Sequence, residues 1–351
     1  MPAVMRQSEE IAETFARSAA HEFHGSSPLY EALAVGVSTD QELLTLASRA
    51  ISKPVPMIFL AAVHYLLLDG ADHPLAAFYP DIHPEACVAA DLYPVFRDFC
   101  FHHRDEIENL ITTHHVQTNE VRRCACLLPA FGIASRKAKG LPLALVEIGA
   151  SAGLNLFWDH YGYDYGNRLF YGNGASSLRL TCRLRGDKKP PFPDTFPQIA
   201  SRVGIDLNPI DIRDASATNW LRSFIWPEHA GRFDILHRAI EIARNSPPDL
   251  RKGDALEVLP GIMEIVPKDS VLCLFHTFVS NQMLPETRDG LDNLIRDYGF
   301  KRDVCCISIA LSEKYNYPRI ELLSYTGGVK THRHLANCSG HSRWLEWCET
   351  D

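Results

Sequence analysis

The stretch Leu143–Asn155, LALVEIGASAGLN, constrains the fold more than any other part of this sequence. It opens with an apolar run short enough for a strand buried on both faces, and it closes on small residues that include Gly149 and Gly153. Apolar residues then recur at helical spacing from Leu154 to Tyr161, so a helix follows directly. A strand, a tight turn and a helix start in succession predict a parallel α/β sheet that presents a ligand to main-chain amides.

Two features of this turn indicate what kind of ligand it suits. The glycines allow the backbone to bend sharply, and they let a ligand approach the main chain without meeting a Cβ atom. Glu147 lies at the end of the strand, where sheets of this kind bind their ligands. An acidic side chain suits a ligand with a positive charge or hydroxyl groups and disfavours a bare phosphate. The pattern therefore favours a sulfonium-and-ribose ligand over a dinucleotide.

The spacing Glu147-x-Gly149-x-x-x-Gly153 resembles the first motif of the Rossmann-like methyltransferases that bind S-adenosylmethionine. The resemblance implies that this cofactor lies over the glycine turn, with Glu147 near its methionine end and Asn155 among its contacts. One position departs from the motif, because Ser151 stands where a typical member has a middle glycine. The seryl hydroxyl either forms a hydrogen bond with the ligand or narrows the pocket.

The same resemblance implies a ribose-binding carboxylate at Asp206. It follows a stretch similar to the end of the second methyltransferase strand, where two carboxylate oxygens accept from two hydroxyls. Asp206 lies 57 positions after Gly149, whereas about 20 is usual. Either residues 160–200 form an insertion over the pocket, or Asp206 belongs to a substrate loop. In the second case Asp164 is the ribose candidate.

Two later segments resemble further methyltransferase motifs. Asp254 matches an aspartate that binds the adenine amino group, and it is equally placed to cap the following helix. His276 directly follows the buried strand Ser270–Phe275, at the position that faces the transferred methyl group. A histidine with a pKa near about 6.5 can take a proton from a nucleophile there, although it can equally satisfy loop carbonyls. Asn281, one turn later, is the candidate for orienting a substrate.

Two rival functions stay open on the sequence. The letters GASAG around Ser151 have the G-x-S-x-G spacing of a nucleophile elbow, between strand and helix as that motif requires. Ser151 would then be the nucleophile of an α/β serine hydrolase, with His276 or His341 as its base. Glu147 argues against this, as does the Gly-Asp-Ala segment at Asp254, which a hydrolase does not need. The other rival is a non-catalytic protein that keeps the methyltransferase-like fold.

The order of the predicted elements gives two domains. Helical periodicity runs through residues 1–140, which we expect to form a helical N-terminal domain. Residues 141–351 alternate strands with helices, which predicts a Rossmann-like, doubly wound, mostly parallel sheet with an antiparallel hairpin edge. The apolar run Val55–Leu68 is too short to cross a bilayer, so it is expected to be a buried central helix.

Composition excludes several classes of protein. A net charge of −8 argues against a general nucleic-acid or membrane-surface binder and favours a small-molecule substrate. The 10 cysteines do not follow a secretory signal, and several, including Cys87, have apolar surroundings. We therefore expect a reduced, cytoplasmic protein. The histidine pairs His102–His103 and His114–His115 are expected to be solvated or capping groups, so no metal site is predicted.

The chain as a whole resembles one bacterial family, known as domain of unknown function 2332. The matching stretches are SPLYEAL (Ser27–Leu33), LAAVHYLLL (Leu60–Leu68), EIGASAGLNL (Glu147–Leu156), GIDLNPIDI (Gly204–Ile212), GDALEVLP (Gly253–Pro260) and HSRWLEW (His341–Trp347). They span nearly the full length. The resemblance brings no activity with it, so function depends on the chemistry of the site.

Overall fold

The computed structural model describes residues 2–86, 91–193, 195–312, 314–315 and 317–349; Cys87 lies outside them. The chain forms two compact units. One comprises residues up to Thr118 together with Arg213–Asp234, and the other comprises Asn119–Ile212 with Ile235–Asp351. This division differs from the single boundary at residue 140 that the sequence predicted.

The α-helices follow the periodicity of the sequence closely. In chain order they are α1 (Pro2–Ser18), α2 (Pro28–Val37), α3 (Gln41–Ala47), α4 (Val55–Leu68), α5 (Leu92–His102), α6 (Arg104–Thr113), α7 (Arg123–Lys137), α8 (Ala215–Ser223), α9 (Ala230–Arg244), α10 (Ala255–Ile265) and α11 (Pro285–Gly299). A π-helix covers Ala19–Phe23, and 3-10 helices cover Pro74–Phe78 and Leu154–His160. The predicted central helix is confirmed as α4, which is buried along most of its length.

The strands form one large sheet and one small one. In chain order they are β1 (Leu143–Ile148), β2 (Gly162–Asp164), β3 (Phe170–Gly172), β4 (Arg179–Thr181), β5 (Arg183–Arg185), β6 (Ile199–Asp206), β7 (Asp249–Lys252), β8 (Val271–Thr277), β9 (Val304–Leu311), β10 (Pro318–Thr326), β11 (Val329–Cys338) and β12 (Trp344–Trp347). The large sheet has the order β5-β12-β11-β10-β9-β8-β1-β6-β7, and the small sheet has the order β3-β2-β4. No helix within the described residues is both long and apolar enough to cross a membrane.

The large sheet is mostly parallel, as predicted. Strands β7, β6, β1, β8 and β9 run parallel to one another, and β10, β11 and β12 continue the sheet through antiparallel pairs. Strand β5 pairs with β12 in parallel. The predicted antiparallel hairpin is confirmed at β10 and β11, which are joined at the Gly327-Gly328 turn, but it does not form the edge, because β12 and β5 lie outside it. The chain builds outward from β1 to β6 and β7, then returns to place β8 on the other side of β1. Sheets with this reversal of strand order bind ligands at the carboxyl ends of the two strands that flank it, here β1 and β8.

Residues between β1 and β6 form an insertion, and whether Asp206 or Asp164 contacts a ribose stays a prediction. Asp206 is the last residue of β6, and β6 lies directly beside β1. The alternating pattern of Ser177–Arg185, SLRLTCRLR, predicts a single strand, and this prediction is wrong, because the segment splits into β4 in the small sheet and β5 at the edge of the large one. The insertion therefore reaches the sheet edge opposite β7.

Helix α7 belongs to the sheet unit rather than to the helical one. The Phe131 ring stacks on Trp158 at 4.4 Å and meets Phe275 of β8 edge-on at 5.2 Å. Glu147 is level with Phe275 in the parallel register, so its side chain lies on the α7 face of the sheet. Ile148 is level with His276 and packs in the core cluster formed with α10 and α11 on the opposite face.

Candidate functional site

A buried polar cluster lies at the carboxyl end of β1, on the α7 face. We call it the Glu147 cluster and define it as Arg123, Cys124, Glu147, Asn155 and Thr277. Asn155 Nδ2 donates a hydrogen bond to Glu147 Oε1 at 3.0 Å, and the Cys124 thiol donates to Asn155 Oδ1 at 3.3 Å. The second carboxyl oxygen, Glu147 Oε2, is buried and has no hydrogen-bond partner in the described chain. A ligand that supplies a donor or a positive charge here would complete the set.

Burial controls the charge of Glu147. Its side chain is 1% exposed, and burial raises the pKa of this carboxyl from 4.5 to about 8. The nearby carboxylate of Asp206 acts in the same direction, while the Asn155 hydrogen bond and the Arg123 charge partly offset the rise in pKa. Glu147 is therefore mostly protonated at neutral pH. Burial also raises the pKa of the Cys124 thiol, which stays protonated and able to donate.

Arg123 and Thr277 are site residues that the sequence did not reveal. Arg123 opens α7, and its Nη1 donates to Thr277 Oγ1 at 2.9 Å. Its guanidinium lies over the Phe278 ring, 4.5 Å from the centroid. Phe278 has φ of +64°, a left-handed backbone that non-glycine residues rarely adopt outside constrained sites. The only signal in the sequence was the position of residues 277 and 278 directly after a buried strand.

The main-chain amides of the glycine turn are bonded within the chain. Four of them have acceptors at N···O distances of 2.7–3.1 Å: Gly149 and Ala150 donate to the Ile205 carbonyl, Ser151 donates to Asp206 Oδ2, and Gly153 donates to the Ala150 carbonyl. The expectation that the turn presents these amides to a ligand is therefore corrected. The amides of Gly149, Ala150 and Ser151 bond to β6 instead, and the amide of Gly153 bonds within the turn.

The two glycines of the turn are required by packing. Gly149 has φ of +71°, and a Cβ atom there would lie 2.1 Å from Val279 Cγ2 in the loop after β8. Gly153 has φ of +69°, and its Cβ would lie 2.9 Å from Pro248 Cγ. The Ile210 amide also donates to the carbonyl of the serine in the turn, at 3.1 Å. Neighbouring loops thus occupy the space beside these glycines that the sequence assigned to a ligand.

Asp206 and Asp254 lie at the carboxyl ends of the next two strands, as the sequence predicted. Asp206 Oδ2 accepts from the Ser151 amide at 2.7 Å, and Oδ1 accepts from Asn208 at 2.8 Å. Asp254 caps α10 by accepting from the Leu256 amide at 2.8 Å. The Asp206 carbonyl accepts from the amide of Gly253 at 3.0 Å, which holds the two acidic turns side by side.

The alternative ribose candidate lies elsewhere. Asp164 ends β2 in the small sheet, and its Oδ1 accepts from the Gly166 amide at 2.8 Å. Because β2 is not a strand of the large sheet, Asp164 is not part of the row of carboxylates at its carboxyl edge.

His276 lies near the end of β8 and Asn281 lies in the loop after it, but their surroundings differ from those expected. His276 is 7% exposed, and burial lowers the pKa of its ring from 6.5 to about 4. It is therefore neutral at physiological pH and a weaker base than an ordinary histidine. Asn281 Nδ2 donates to the Leu311 carbonyl at 3.0 Å, and its Oδ1 accepts from the Leu311 amide at 2.9 Å. Its amide group joins two chain segments, and the substrate contact of Asn281 stays a prediction.

Ser151 combines two unusual properties. Its φ is +52°, and its hydroxyl is buried without a hydrogen-bond partner in the described chain. The buried Nδ1 atom of His276 also has no partner there, so the two groups are not bonded to each other through it. His341, the other possible base, has its Nδ1 3.4 Å from Glu120 Oε2.

The comparisons with known proteins add one finding. Residues 12–347 match the sequence model of the family described as "Uncharacterized protein conserved in bacteria (DUF2332)". The chain belongs to this family. No match was found among curated proteins or among solved structures. The DUF2332 region includes β1 to β12 and every residue of the Glu147 cluster.

This DUF2332 chain also contains a group of possible metal ligands in its helical unit, at His73, Asp98 and His102. Their hydrogen bonds argue against coordination. His73 Nδ1 accepts from the Leu75 amide at 3.1 Å, so its Nε2 carries the hydrogen directed at Asp98. His102 Nδ1 lies 3.0 Å from the Asp98 carbonyl oxygen and must donate to it. Neither nitrogen facing Asp98 has a free lone pair for an ion.

Proposed function

We propose that this protein is a methyltransferase that uses S-adenosylmethionine to modify a small molecule. The observation that carries the proposal is a row of carboxyl groups, Glu147, Asp206 and Asp254, at or just beyond the carboxyl ends of three adjacent parallel strands beside the switch point. The cofactor has three groups that donate hydrogen bonds, one for each carboxyl group: an ammonium group, a ribose diol and an adenine amine. The strand order β7-β6-β1-β8-β9 supports the proposal, because it is the doubly wound order of nucleoside-binding sheets.

The side chains suit this cofactor, while the main-chain amides of the turn do not. Glu147 Oε2 is buried without a hydrogen-bond partner, as expected of an oxygen that accepts from a cationic donor only when the ligand is bound. Asp206 and Asp254 present carboxylate oxygens, which are acceptors for hydroxyl and amine donors. The proposed contacts are therefore made by carboxyl groups rather than by an amide cradle.

The residues of the chain would act mainly by position and charge. S-adenosylmethionine supplies an electrophilic methyl group on a sulfonium centre. Glu147, mostly protonated on its own, would lose its proton when a cation approaches, because the positive charge favours the carboxylate. His276, neutral at physiological pH, would orient a nucleophile by hydrogen bonding more than by removing its proton.

Titration calorimetry with S-adenosylmethionine and S-adenosylhomocysteine tests the proposal. We expect binding by the wild type and a loss of at least about tenfold in Glu147→Gln, because the substitution removes the carboxylate but keeps the acceptor for Asn155. Glu257→Gln, which removes an exposed carboxyl on α10, is the matched control and should bind as the wild type does. Absence of binding by the folded wild type would contradict the proposal.

The protonation of Glu147 gives the same experiment a second readout. If binding ionises Glu147, about one proton is released per ligand near pH 7. The observed heat should then depend on the ionisation enthalpy of the buffer in the wild type, and not in Glu147→Gln. Equal buffer dependence in both proteins would show that the ligand does not contact this carboxyl.

A serine hydrolase is the second candidate, favoured by one observation. Ser151 has both the positive φ and the unpaired hydroxyl expected of a nucleophile at a sharp turn. A fluorophosphonate probe tests it, with the labelled peptide identified by mass spectrometry and Ser151→Ala as control. Labelling of Ser151 in the wild type would favour the hydrolase over the methyltransferase. Absence of both labelling and cofactor binding would favour a non-catalytic protein.

A further inference from the structure

A separate cavity lies at the edge of the sheet unit where β5 meets β12. Its volume is about 560 Å³, within the roughly 300–1,000 Å³ of small-molecule sites. It is lined by Arg122, Asp164, Tyr165, Gly166, Thr181, Cys182, Arg183, Arg185, Arg343 and Trp344. None of these residues belongs to the Glu147 cluster.

The lining is strongly basic in a chain that is acidic overall. Four arginines face one aspartate around the cavity, whereas the whole chain has a net charge of −8. Among the described residues, no carboxylate forms an ion pair with Arg183, Arg185 or Arg343. Arg251, by contrast, is paired with Asp249 at 2.9 Å, and Arg202 is paired with Asp159 at 2.7 Å. Three unpaired guanidinium groups beside one cavity create a local positive potential that attracts anions.

The local sequence explains why the arginines converge. The alternation Arg183-Leu184-Arg185 puts both arginines on one side of β5. Arg183 is level with Trp344 in the parallel register, and its amide donates to the Arg343 carbonyl at 3.0 Å. The Arg185 guanidinium lies over the Trp344 ring at 4.5 Å. Stacking on the ring fixes that guanidinium and leaves its in-plane donors available.

We propose that this cavity binds a small organic phosphate with at least two negative charges. Guanidinium groups bind phosphate oxygens through paired, charge-assisted hydrogen bonds, and several of them suit a group with more than one charge. The volume exceeds what an inorganic ion needs, so an organic part would fill the remainder against Trp344 and Tyr165. The site is distinct from the proposed cofactor site, because S-adenosylmethionine carries a sulfonium and suits acidic groups.

Titration calorimetry of the full chain with pyrophosphate, AMP, citrate and a single-stranded dodecathymidylate tests the inference. We expect pyrophosphate and AMP to bind the wild type, and the double variant Arg183→Gln/Arg185→Gln to bind them at least about tenfold more weakly. The double variant Arg104→Gln/Arg296→Gln removes the same charge from exposed arginines on α6 and α11. It should change the affinity less than about twofold.

Chemical protection gives a readout that does not depend on how the variants fold. Phenylglyoxal should modify Arg183, Arg185 and Arg343 in the wild type, and pyrophosphate should protect them while Arg104 still reacts. Failure of both phosphates to bind, or equal weakening in the control variant, would overturn the inference. Tighter binding of citrate than of the phosphates would show that the cavity binds a polycarboxylate and would overturn the inference. Tighter binding of a single-stranded dodecathymidylate would show that the cavity binds nucleic acid and would also overturn the inference.

Discussion

Glu147 is a buried carboxyl group at the centre of the proposed site. A carboxyl that is 1% exposed and has one oxygen without a partner is costly to keep in a folded protein. The protein lowers this cost by keeping the group protonated, which is why burial raises its pKa to about 8. A hydrophobic residue of similar size would avoid the cost entirely. Such a site is therefore a functional candidate on physical grounds.

The raised pKa predicts how stability depends on pH. The unfolded carboxyl ionises near pH 4.5 and the folded one near about 8, so the folded state keeps a proton that the unfolded state loses. The stabilisation from this proton is fully present below pH 4.5 and is lost as the pH rises to about 8. We expect the free energy of unfolding of Glu147→Gln to fall less than that of the wild type between pH 5.5 and pH 8, by about 3 kcal/mol.

Urea unfolding at several pH values measures this difference. His276 titrates in both proteins, so its contribution cancels in the comparison. Glu257→Gln on the exposed face of α10 is the control, and its pH profile should be parallel to that of the wild type. Parallel profiles for Glu147→Gln and the wild type would show that Glu147 is ionised in the folded protein.

At the scale of elements, the site depends on how loops after neighbouring strands lock together. The turn after β1 is bonded to the end of β6 through Asp206 and packs against the loop after β8 through Val279. Asn281 in turn joins the loop after β8 to Leu311 at the end of β9. These contacts fix the loops at the carboxyl edge of the sheet, so a substitution that displaces one loop also displaces the next.

The contact between Gly149 and Val279 gives a second prediction. An alanine at position 149 must adopt φ of +71° and place its Cβ 2.1 Å from Val279 Cγ2. We expect Gly149→Ala to destabilise the protein by about 2–4 kcal/mol, the sum of backbone strain and overpacking. Thermal and urea unfolding measure the loss.

Two variants separate the two causes. Gly140→Ala has a similar backbone, with φ of +89°, but its Cβ would meet nothing within 4 Å. It should cost only the strain, about 1 kcal/mol. In the double variant Gly149→Ala/Val279→Ala, the smaller side chain at position 279 should restore the free energy of unfolding that Gly149→Ala loses through overpacking. A double-mutant cycle should therefore give a coupling energy above about 0.5 kcal/mol. Additive effects would mean that the two loops do not touch.

At the scale of the whole molecule, the chain supplies the helical unit from two places. Residues 213–234 lie between strands of the sheet unit in sequence, but they pack with the first 118 residues. Trp226 meets Phe23 edge-on at 5.2 Å, and Trp220 meets Tyr65 at 5.8 Å. The helical core therefore closes only after more than half of the chain is present.

Removing the N-terminal part tests this arrangement. A chain that begins at Asn119 keeps Trp220, Phe224 and Trp226 but loses the residues that bury them. Each aromatic side chain would expose roughly 150–250 Å² of mostly apolar surface. We expect strong binding of an apolar fluorescent dye and concentration-dependent aggregation by sedimentation. Replacing the three aromatics by glutamine in the same shortened chain should reduce both, and an unchanged dye signal in the shortened chain would contradict the prediction.

Much of the fold was predictable because its signals are local. The apolar run of α4, the cap at Asp40 before α3 and the buried strands β1 and β8 follow from periodicity and capping rules over a few residues. The prediction of one strand over residues 177–185 was wrong. The alternation of apolar and polar residues fits a single strand, but the segment pairs with two different sheets and is divided at Cys182. Strand pairing is a property of distant segments, and alternation alone does not specify it.

The site was predictable in its acidic residues and not in their state. A carboxyl group after a buried strand is visible in sequence at Glu147 and Asp206. Its protonation is not, because the pKa depends on the side chains that remove water around it. Arg123 was hidden for a related reason, since it reaches the strand end from α7 rather than from a loop after a strand.

By itself, the sequence determined the elements, the strand-turn-helix at residues 143–155 and the acidic residues at the carboxyl edge, because these depend on neighbours within a few positions. The tertiary structure decided which strands pair, where the unit boundary lies, that the amides of the glycine turn are already bonded, and that three unpaired arginines line one cavity. Each of these depends on contacts between segments that are far apart in the chain. Burial, hydrogen-bond partners and local potential are set only when those segments meet.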